Sequence, residues 1–156
     1  MGWFENLKKN KDTEEEPVWR FVYGEIDNKE ALMRVNVTFT KAKYAHTYYI
    51  RLRYGDDSTT TLPSGIAGMK FLDEVYNTED KVSEILEDTF RDSVVYLGCA
   101  TFGGSAYLTY ASNYDINWVG MISHYMKKKI EGGQYFGDNM GYYNKIMYPK
   151  EFRGEN

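Results

Sequence analysis

The side chains most often used in catalysis and metal binding are few in this sequence. His46 and His124 are its two histidines and Cys99 is its single cysteine, and none has a second metal ligand at a suitable spacing. A cysteine nucleophile needs a nearby base and an electropositive, partly exposed site. The alternating pattern around Cys99 instead predicts a strand that turns the thiol toward the helices. We therefore expect an inert cysteine, and neither a metal nor a cofactor.

Adjacent carboxylates are the next candidates for acid–base chemistry, and they occur at residues 56–57, 73–74 and 87–88. Neighbours in sequence on a helix do not face each other, so these pairs are typical of solvated surface. The sequence GGS lacks the lysine of a phosphate-binding loop and opens a predicted strand. No serine stands in a G-x-S-x-G motif. No catalytic residues are predicted, and an enzyme with an unrecognised pocket is the third of three functional hypotheses.

The stretch TFGGSAYLTY, residues 101–110, nearly matches the RNA-binding octamer of RNA-recognition-motif domains. In that interpretation Tyr107 is an exposed stacking aromatic, and Tyr49 on another predicted strand is a second one. However, Gly103 stands at the basic position of the octamer and Ser105 at its first exposed aromatic position. A phosphate contact and a stacking platform are thereby lost. Single-stranded RNA binding is therefore an alternative function, and protein binding is the leading one.

Arginine and tyrosine alternate with apolar residues along several predicted strands. If the apolar positions face the helices, the opposite face carries a set of candidate partner-binding residues: Arg20, Arg34, Tyr49, Arg51, Arg53, Tyr96 and Tyr107. Arginine and tyrosine are enriched at interface hot spots, and a guanidinium group matches carboxylate or phosphate. The competing interpretation is that these residues pair across strands of an ordinary solvated face. We expect this face to bind an anionic partner.

The elements that must position these residues follow from periodicity. The stretches VWRFVYGE, ALMRVNVTF and HTYYIRLRY alternate at period two. Asp27 and Asn28 predict a turn between the first two, and two further strands meet at the Gly103-Gly104 turn. Residues 66–76 and 79–91 have helical spacing, with Thr78 as the N-cap of the second helix. Another helix follows Asp115, and a short edge strand follows that helix. From residue 46 the order is strand, helix, strand, strand, helix, strand, which is the split βαβ pattern.

The predicted fold class is therefore α+β: a ferredoxin-like split βαβ two-layer sandwich with an added N-terminal β-hairpin and a mainly antiparallel sheet. Residues 1–16 are predicted to form an N-terminal turn and charged linker, and residues 17–153 a single domain. A net charge of −4 argues against general nucleic-acid binding. The lone cysteine and the lack of a membrane-length or secretory apolar run predict a cytoplasmic, non-membrane protein.

Residues 18–150 resemble a bacterial family known as domain of unknown function six-nine-five. The resemblance is carried by WRFVYGEIDNKEALMRVN, LEDTFRDSVVYLGCATFGGSAYLTYAS and QYFGDNMGYYNKIMYP, although the basic residue that usually follows the hairpin glycine is absent. The family looks distantly similar to the B-type domain that inhibits ribonuclease E by binding it. The resemblance implies a bacterial, non-catalytic domain that binds another protein and regulates it, with no catalytic residues to carry over.

Overall fold

The computed structural model describes residues 18–37, 44–90, 94–135, 145 and 147. The elements in these ranges are β1 (Trp19–Ile26), β2 (Lys29–Asn36), β3 (His46–Arg53), α1 (Gly65–Thr89), β4 (Val94–Phe102), β5 (Ser105–Ser112), α2 (Trp118–Met126) and β6 (Gly132–Tyr135). The predicted α+β class is confirmed. The turn and linker predicted for residues 1–16 lie outside the described residues, as do the predicted domain boundaries at 17 and 153.

The six strands form one open sheet in the order β1-β2-β4-β5-β3-β6, and every neighbouring pair is antiparallel. Both of its two-residue hairpin turns fall where the sequence predicts them. Asp27 and Asn28 join β1 to β2 with φ of 53° and 63°, and Gly103 and Gly104 join β4 to β5 with φ of 59° and 85°. Two successive positive φ values match the right-handed twist of the flanking strands, which is why Asp, Asn and Gly occupy these turns.

The two helices predicted for residues 66–91 are one continuous helix of 25 residues, α1. Thr78 is not an N-cap, because its hydroxyl donates to the carbonyl oxygen of Glu74 one turn earlier, at 2.8 Å. The helix continues because its buried stripe is unbroken through Phe71, Val75, Thr78, Val82 and Leu86. Neither described helix combines the length and the apolar character that a membrane crossing requires.

Apolar side chains pack on both faces of the sheet. The face covered by α1 and α2, here called the helix face, contributes Tyr48, Ile50, Leu108 and Tyr110 to a core that includes Val82 and Ile122 of the helices. On the opposite or far face, a second cluster contains Val22, Met33, Val35, Leu97, Ala111 and Met147. The expectation that every strand turns its apolar side toward the helices is therefore wrong for β2, whose Met33 and Val35 pack on the far face.

A β-bulge in β4 changes which of its side chains face the helices. The pairing with β5 passes from Tyr96–Tyr110 directly to Gly98–Thr109, so Leu97 is the extra residue. Upstream of the bulge the alternation is shifted by one position. The predicted placement of Tyr96 on the face opposite the helices is therefore wrong: its ring packs against the helix-face core, 4.7 Å from that of Tyr110.

We expect the Gly98→Ala substitution to lower the free energy of unfolding by about 2 kcal/mol or more. Gly98 has φ of +135°, and a Cβ atom there would lie 2.1 Å from the carbonyl oxygen of Arg34. Urea denaturation measures the change. Gly24→Ala in β1 is the matched control, because its added Cβ would meet nothing within 4 Å. Equal effects of the two substitutions would contradict the close backbone approach at the bulge.

Candidate interaction surface

The structure separates the seven predicted partner-binding residues into three groups. Four lie together on the far face of the β3–β5 pair: Tyr49, Arg51, Arg53 and Tyr107. Arg20 shares the far face but lies on β1, four strands from β3, which is about 19 Å at the usual strand spacing. Arg34 and Tyr96 lie on the helix face. The predicted single surface of seven residues is therefore wrong.

Arg34 faces α1 because β2 turns its apolar side to the far face. The residues on either side of it pack in the far-face cluster, so its own side chain points toward the helix. There the guanidinium group forms an ion pair with Glu79, whose side chain is 11% exposed. The rings of Trp19 and Tyr76 each have their centroid 5.2 Å from Cζ of Arg34. The charge of Arg34 is thus compensated by a carboxylate and flanked by two aromatic rings.

Tyr96 completes the polar group at this helix–sheet contact. Its hydroxyl donates to Oε1 of Glu79 at 2.8 Å, the same oxygen that binds Arg34. Burial raises the pKa of the Tyr96 phenol well above its ordinary value, so the hydroxyl stays protonated and acts as a donor. Arg34 and Tyr96 therefore hold α1 on the sheet through Glu79.

Arg51 and Arg53 on the far face are paired with carboxylates of the same chain. Arg53 binds Glu131 through two parallel hydrogen bonds, Nε to Oε2 at 2.8 Å and Nη2 to Oε1 at 2.6 Å. Nη2 of Arg51 donates to Oδ1 of Asp57 at 2.7 Å, and its Nε donates to Oγ of Ser105 at 2.8 Å. Two guanidinium groups thus face two carboxylates. An anionic partner would have to displace these carboxylates before it could bind.

Aromatic rings on the far face form a row across four strands. The Phe102 and Tyr107 ring centroids are 5.4 Å apart, those of Tyr107 and Tyr49 are 6.2 Å apart, and those of Tyr49 and Tyr135 are 4.8 Å apart. Cζ of Arg51 lies 5.5 Å from the centroid of Tyr107. All four rings are half-buried. Much of each ring's surface is therefore covered by the neighbouring rings, whereas a nucleic-acid base needs an exposed ring face on which to stack.

A groove that the sequence analysis missed lies between the first half of α1 and the β1–β2 hairpin. Its volume is about 210 Å³, and its walls include Phe21, Leu32, Pro63, Phe71, Leu72 and Tyr76. Phe21 is 63% exposed and Leu72 48% exposed. The sequence does carry a signal for it. VWRFVYGE has apolar residues in both of its alternating phases, whereas a strand that is buried on one face needs them in only one.

The chemistry-bearing residues do not converge in this groove. Cys99 lies at its inner wall, and burial raises the pKa of the thiol to about 11, so the sulfur stays protonated at neutral pH. Nδ1 of His46 lies 2.9 Å from Nε2 of Gln134, on β3 and β6. Across the described ranges, no cluster of three or more His, Cys, Asp or Glu side chains could hold a metal ion. The lining of the groove is thus mainly apolar.

No family model, curated protein or solved structure matches this chain. The similarity to domain of unknown function six-nine-five, and through it to a ribonuclease E regulator, therefore stays a prediction from the quoted stretches.

We expect the Arg53→Gln substitution to raise the pKa of Glu131. The hydrogen bonds from Arg53 hold that pKa below the ordinary value of 4.5. Because the folded-state pKa is lowered, the pair contributes stability above the unfolded-state pKa and loses it as the pH falls through the folded-state value. An NMR titration of the Glu131 carboxyl carbon measures the midpoint. Arg20→Gln is the matched control and should leave it unchanged; an unmoved midpoint in Arg53→Gln would contradict the pairing.

Proposed function

We propose that this domain is a non-catalytic protein-binding domain that regulates its partner, and that the groove between β1 and α1 is its binding surface. The observation that carries the proposal is the exposure of large apolar side chains around one groove. They range from 38% exposed for Trp19 to 70% for Met69, and the set is Trp19, Phe21, Tyr23, Met69, Leu72 and Tyr76. Phe21, Leu72 and Tyr76 line the groove itself, and exposed apolar side chains gathered at one groove mark an interaction site.

The helix side of the patch is continuous. Met69, Leu72 and Tyr76 follow one another at three- and four-residue spacing, so they share one side of α1, next to the buried stripe. Leu72 and Tyr76 also line the groove. A partner that covers them would extend the existing helix–sheet core outward, with aromatic residues at its centre as in interface hot spots.

Charge supports an apolar partner at this groove. Arg34 is the one charged residue that lines it among the described residues, and Glu79 compensates that charge. On the far face, by contrast, the predicted anion-binding arginines are already occupied by Asp57 and Glu131. The groove is therefore the stronger candidate for protein binding.

A catalytic function has less support. An enzyme needs titratable groups that converge in one cleft. A second cleft of about 430 Å³ between α1 and α2 gathers Lys70, Asp73, Glu74 and Lys81, but neither His nor Cys is among its lining residues. Lysine and carboxylate side chains at an open helix surface are typical of solvated charge, so we retain the non-catalytic proposal.

We further propose that β3, α1, β4, β5, α2 and β6 form a ferredoxin-like split βαβ unit, with the β1–β2 hairpin added at the β4 edge. The strand order β4-β5-β3-β6 and its antiparallel pairing support this topology. The resemblance of the sequence to a bacterial family supports a bacterial, cytoplasmic regulator. Because one fold hosts many functions, the topology adds nothing to the choice of partner.

The test begins with affinity purification from the native cell, after which the identified partner is produced pure and its Kd is measured by calorimetry. We expect Leu72→Glu to weaken binding by about tenfold or more, because a carboxylate would be buried unpaired against apolar walls. Tyr125→Glu on α2, where the tyrosine is 53% exposed, is the matched control and should bind normally.

The combined substitution of Arg51 and Arg53 by Glu tests the far face in the same assay. We expect it to leave the Kd unchanged. Binding that survives Leu72→Glu but is lost in this double variant would contradict the groove proposal and assign the partner to the far face.

Single-stranded RNA binding is the second candidate function. The row of Tyr49, Tyr107 and Tyr135, with the guanidinium group of Arg51 near Tyr107, is the observation that favours it. Because the neighbouring arginines are paired internally, we expect no change in fluorescence anisotropy when mixed-sequence RNA oligomers are titrated at low salt. A signal that weakens steeply with added salt and disappears in Tyr107→Ala would establish RNA binding instead.

A further inference from the structure

β1 is an edge strand whose outward backbone groups can be identified from its pairing with β2. The amide of Val37 donates to the carbonyl oxygen of Val18 at 2.9 Å, and the register continues as Trp19 opposite Asn36. In an antiparallel pair, hydrogen-bonded and non-hydrogen-bonded positions alternate. Even-numbered positions from 18 to 26 therefore bond to β2, and the N–H and C=O groups of the odd-numbered positions from 19 to 25 point away from the sheet. Within the described part of the chain, no strand pairs with that side.

This edge has few of the features that normally prevent strand addition. Natural edges are short, bulged, or carry proline or charged residues, above all lysine. β1 is eight residues long, contains neither lysine nor proline, has Arg20 and Glu25 as its two charged residues, and pairs with β2 in unbroken register. β1 is thus an edge at which the sheet can be extended.

The groove lies beside this same edge. The odd-numbered side chains of β1 point to the helix face, and one of them, Phe21, forms part of the groove wall opposite Leu72. A strand added to β1 would lie about 4.8 Å from it, and its alternate side chains would also point to the helix face. Those side chains would contact the exposed rings of Trp19, Phe21 and Tyr23 on β1 and the exposed side of α1. Backbone pairing and apolar burial are therefore available to one ligand at the same time.

We propose that β1 binds an extended segment of a partner protein as a seventh strand, and that this segment carries an uncharged apolar side chain at every second position. This inference rests on the proposed protein-binding function and specifies its mode. The outward N–H and C=O groups repeat every two residues, about 6.8 Å, which an extended backbone matches. Charge complementarity selects apolar side chains, because the charge of Arg34 at the groove is already neutralised by Glu79.

A second copy of the chain fits the edge less well. If two β1 strands paired antiparallel over the full outward row, Glu25 of each copy would lie opposite Trp19 of the other. The carboxylate would then be placed against an indole ring at both ends of the interface, without a cation to compensate it. A partner segment whose apolar side chains lie opposite Trp19, Phe21 and Tyr23, and that ends before Glu25, has no such mismatch.

The probe for the test is a fluorescein-labelled nine-residue peptide in which leucine alternates with threonine, titrated into the full chain. In antiparallel pairing, the residues whose side chains reach the helix face also point their amides at β1. N-methylation of the leucine amides should therefore weaken binding by about tenfold or more, and N-methylation of the threonine amides should leave it intact. Equal Kd values for the two methylated peptides, or no binding at about 1 mM, would overturn the proposal.

Two substitutions at one position separate the backbone from the side chain. Phe21→Ala removes the ring and keeps the outward N–H group, whereas Phe21→Pro removes both and leaves the bonds to β2 in place. We expect Phe21→Pro to bind the peptide at least about fivefold more weakly than Phe21→Ala. Equal Kd values for the two variants would contradict strand addition.

Two further measurements distinguish this inference from the proposed function. Loss of peptide binding in Leu72→Glu, together with equal binding of the two methylated peptides, would retain the groove as a binding surface and overturn strand addition. If Leu72→Glu changes neither the Kd of the peptide nor the Kd of the partner, the proposed function is overturned as well. Light scattering after size exclusion reports self-pairing: a dimer that is lost in Phe21→Pro and retained in Phe21→Ala would assign the edge to a second copy and overturn the proposal of a partner segment.

Discussion

Glu79 accepts hydrogen bonds from Arg34 and Tyr96 at the place where α1 crosses the sheet, and much of the architecture depends on this contact. It connects the helix to β2 and β4 through one carboxylate that is largely removed from water. A buried charge is tolerated only when a partner of opposite charge compensates it, so helix and hairpin must keep their relative position. The same compensation leaves the neighbouring groove without net charge, which supports the proposal that its ligand is apolar.

The burial of apolar side chains on both faces of the sheet explains why one aromatic row remains exposed. Met33 and Val35 of β2 pack in the far-face cluster, and the alternate residues of the hairpin therefore point to the helix side. The helix-face core, however, draws its strand residues from β3, β4 and β5 and none from β1. Phe21 and Tyr23 are therefore 63% and 64% exposed, although large aromatic side chains of this kind are usually buried in a core.

The arginines of the far face show how the same chemistry can serve structure or recognition. A guanidinium group binds a carboxylate equally well whether that carboxylate belongs to a partner or to the same chain. In an acidic protein of net charge −4, carboxylates of the chain itself are close at hand. Asp57 follows β3 and Glu131 precedes β6, the strand that pairs with β3, so both reach Arg51 and Arg53. Ion pairs with carboxylates of the same chain thus involve Arg51 and Arg53, two of the arginines that the sequence predicts to bind a partner.

Sequence alone determined the features that depend on neighbours along the chain. The alternation of β3 and β5, the turn at Asp27 and Asn28, and the burial of Cys99 follow from local periodicity and from φ values that few residues adopt. Only the tertiary structure decided the continuity of α1, the bulge at Leu97, the face to which the β1–β2 hairpin turns Arg34, and the groove. These depend on contacts between distant segments, such as the ion pair between residues 34 and 79. Periodicity shows that a strand has two faces, but it is packing against another element that decides which face is buried.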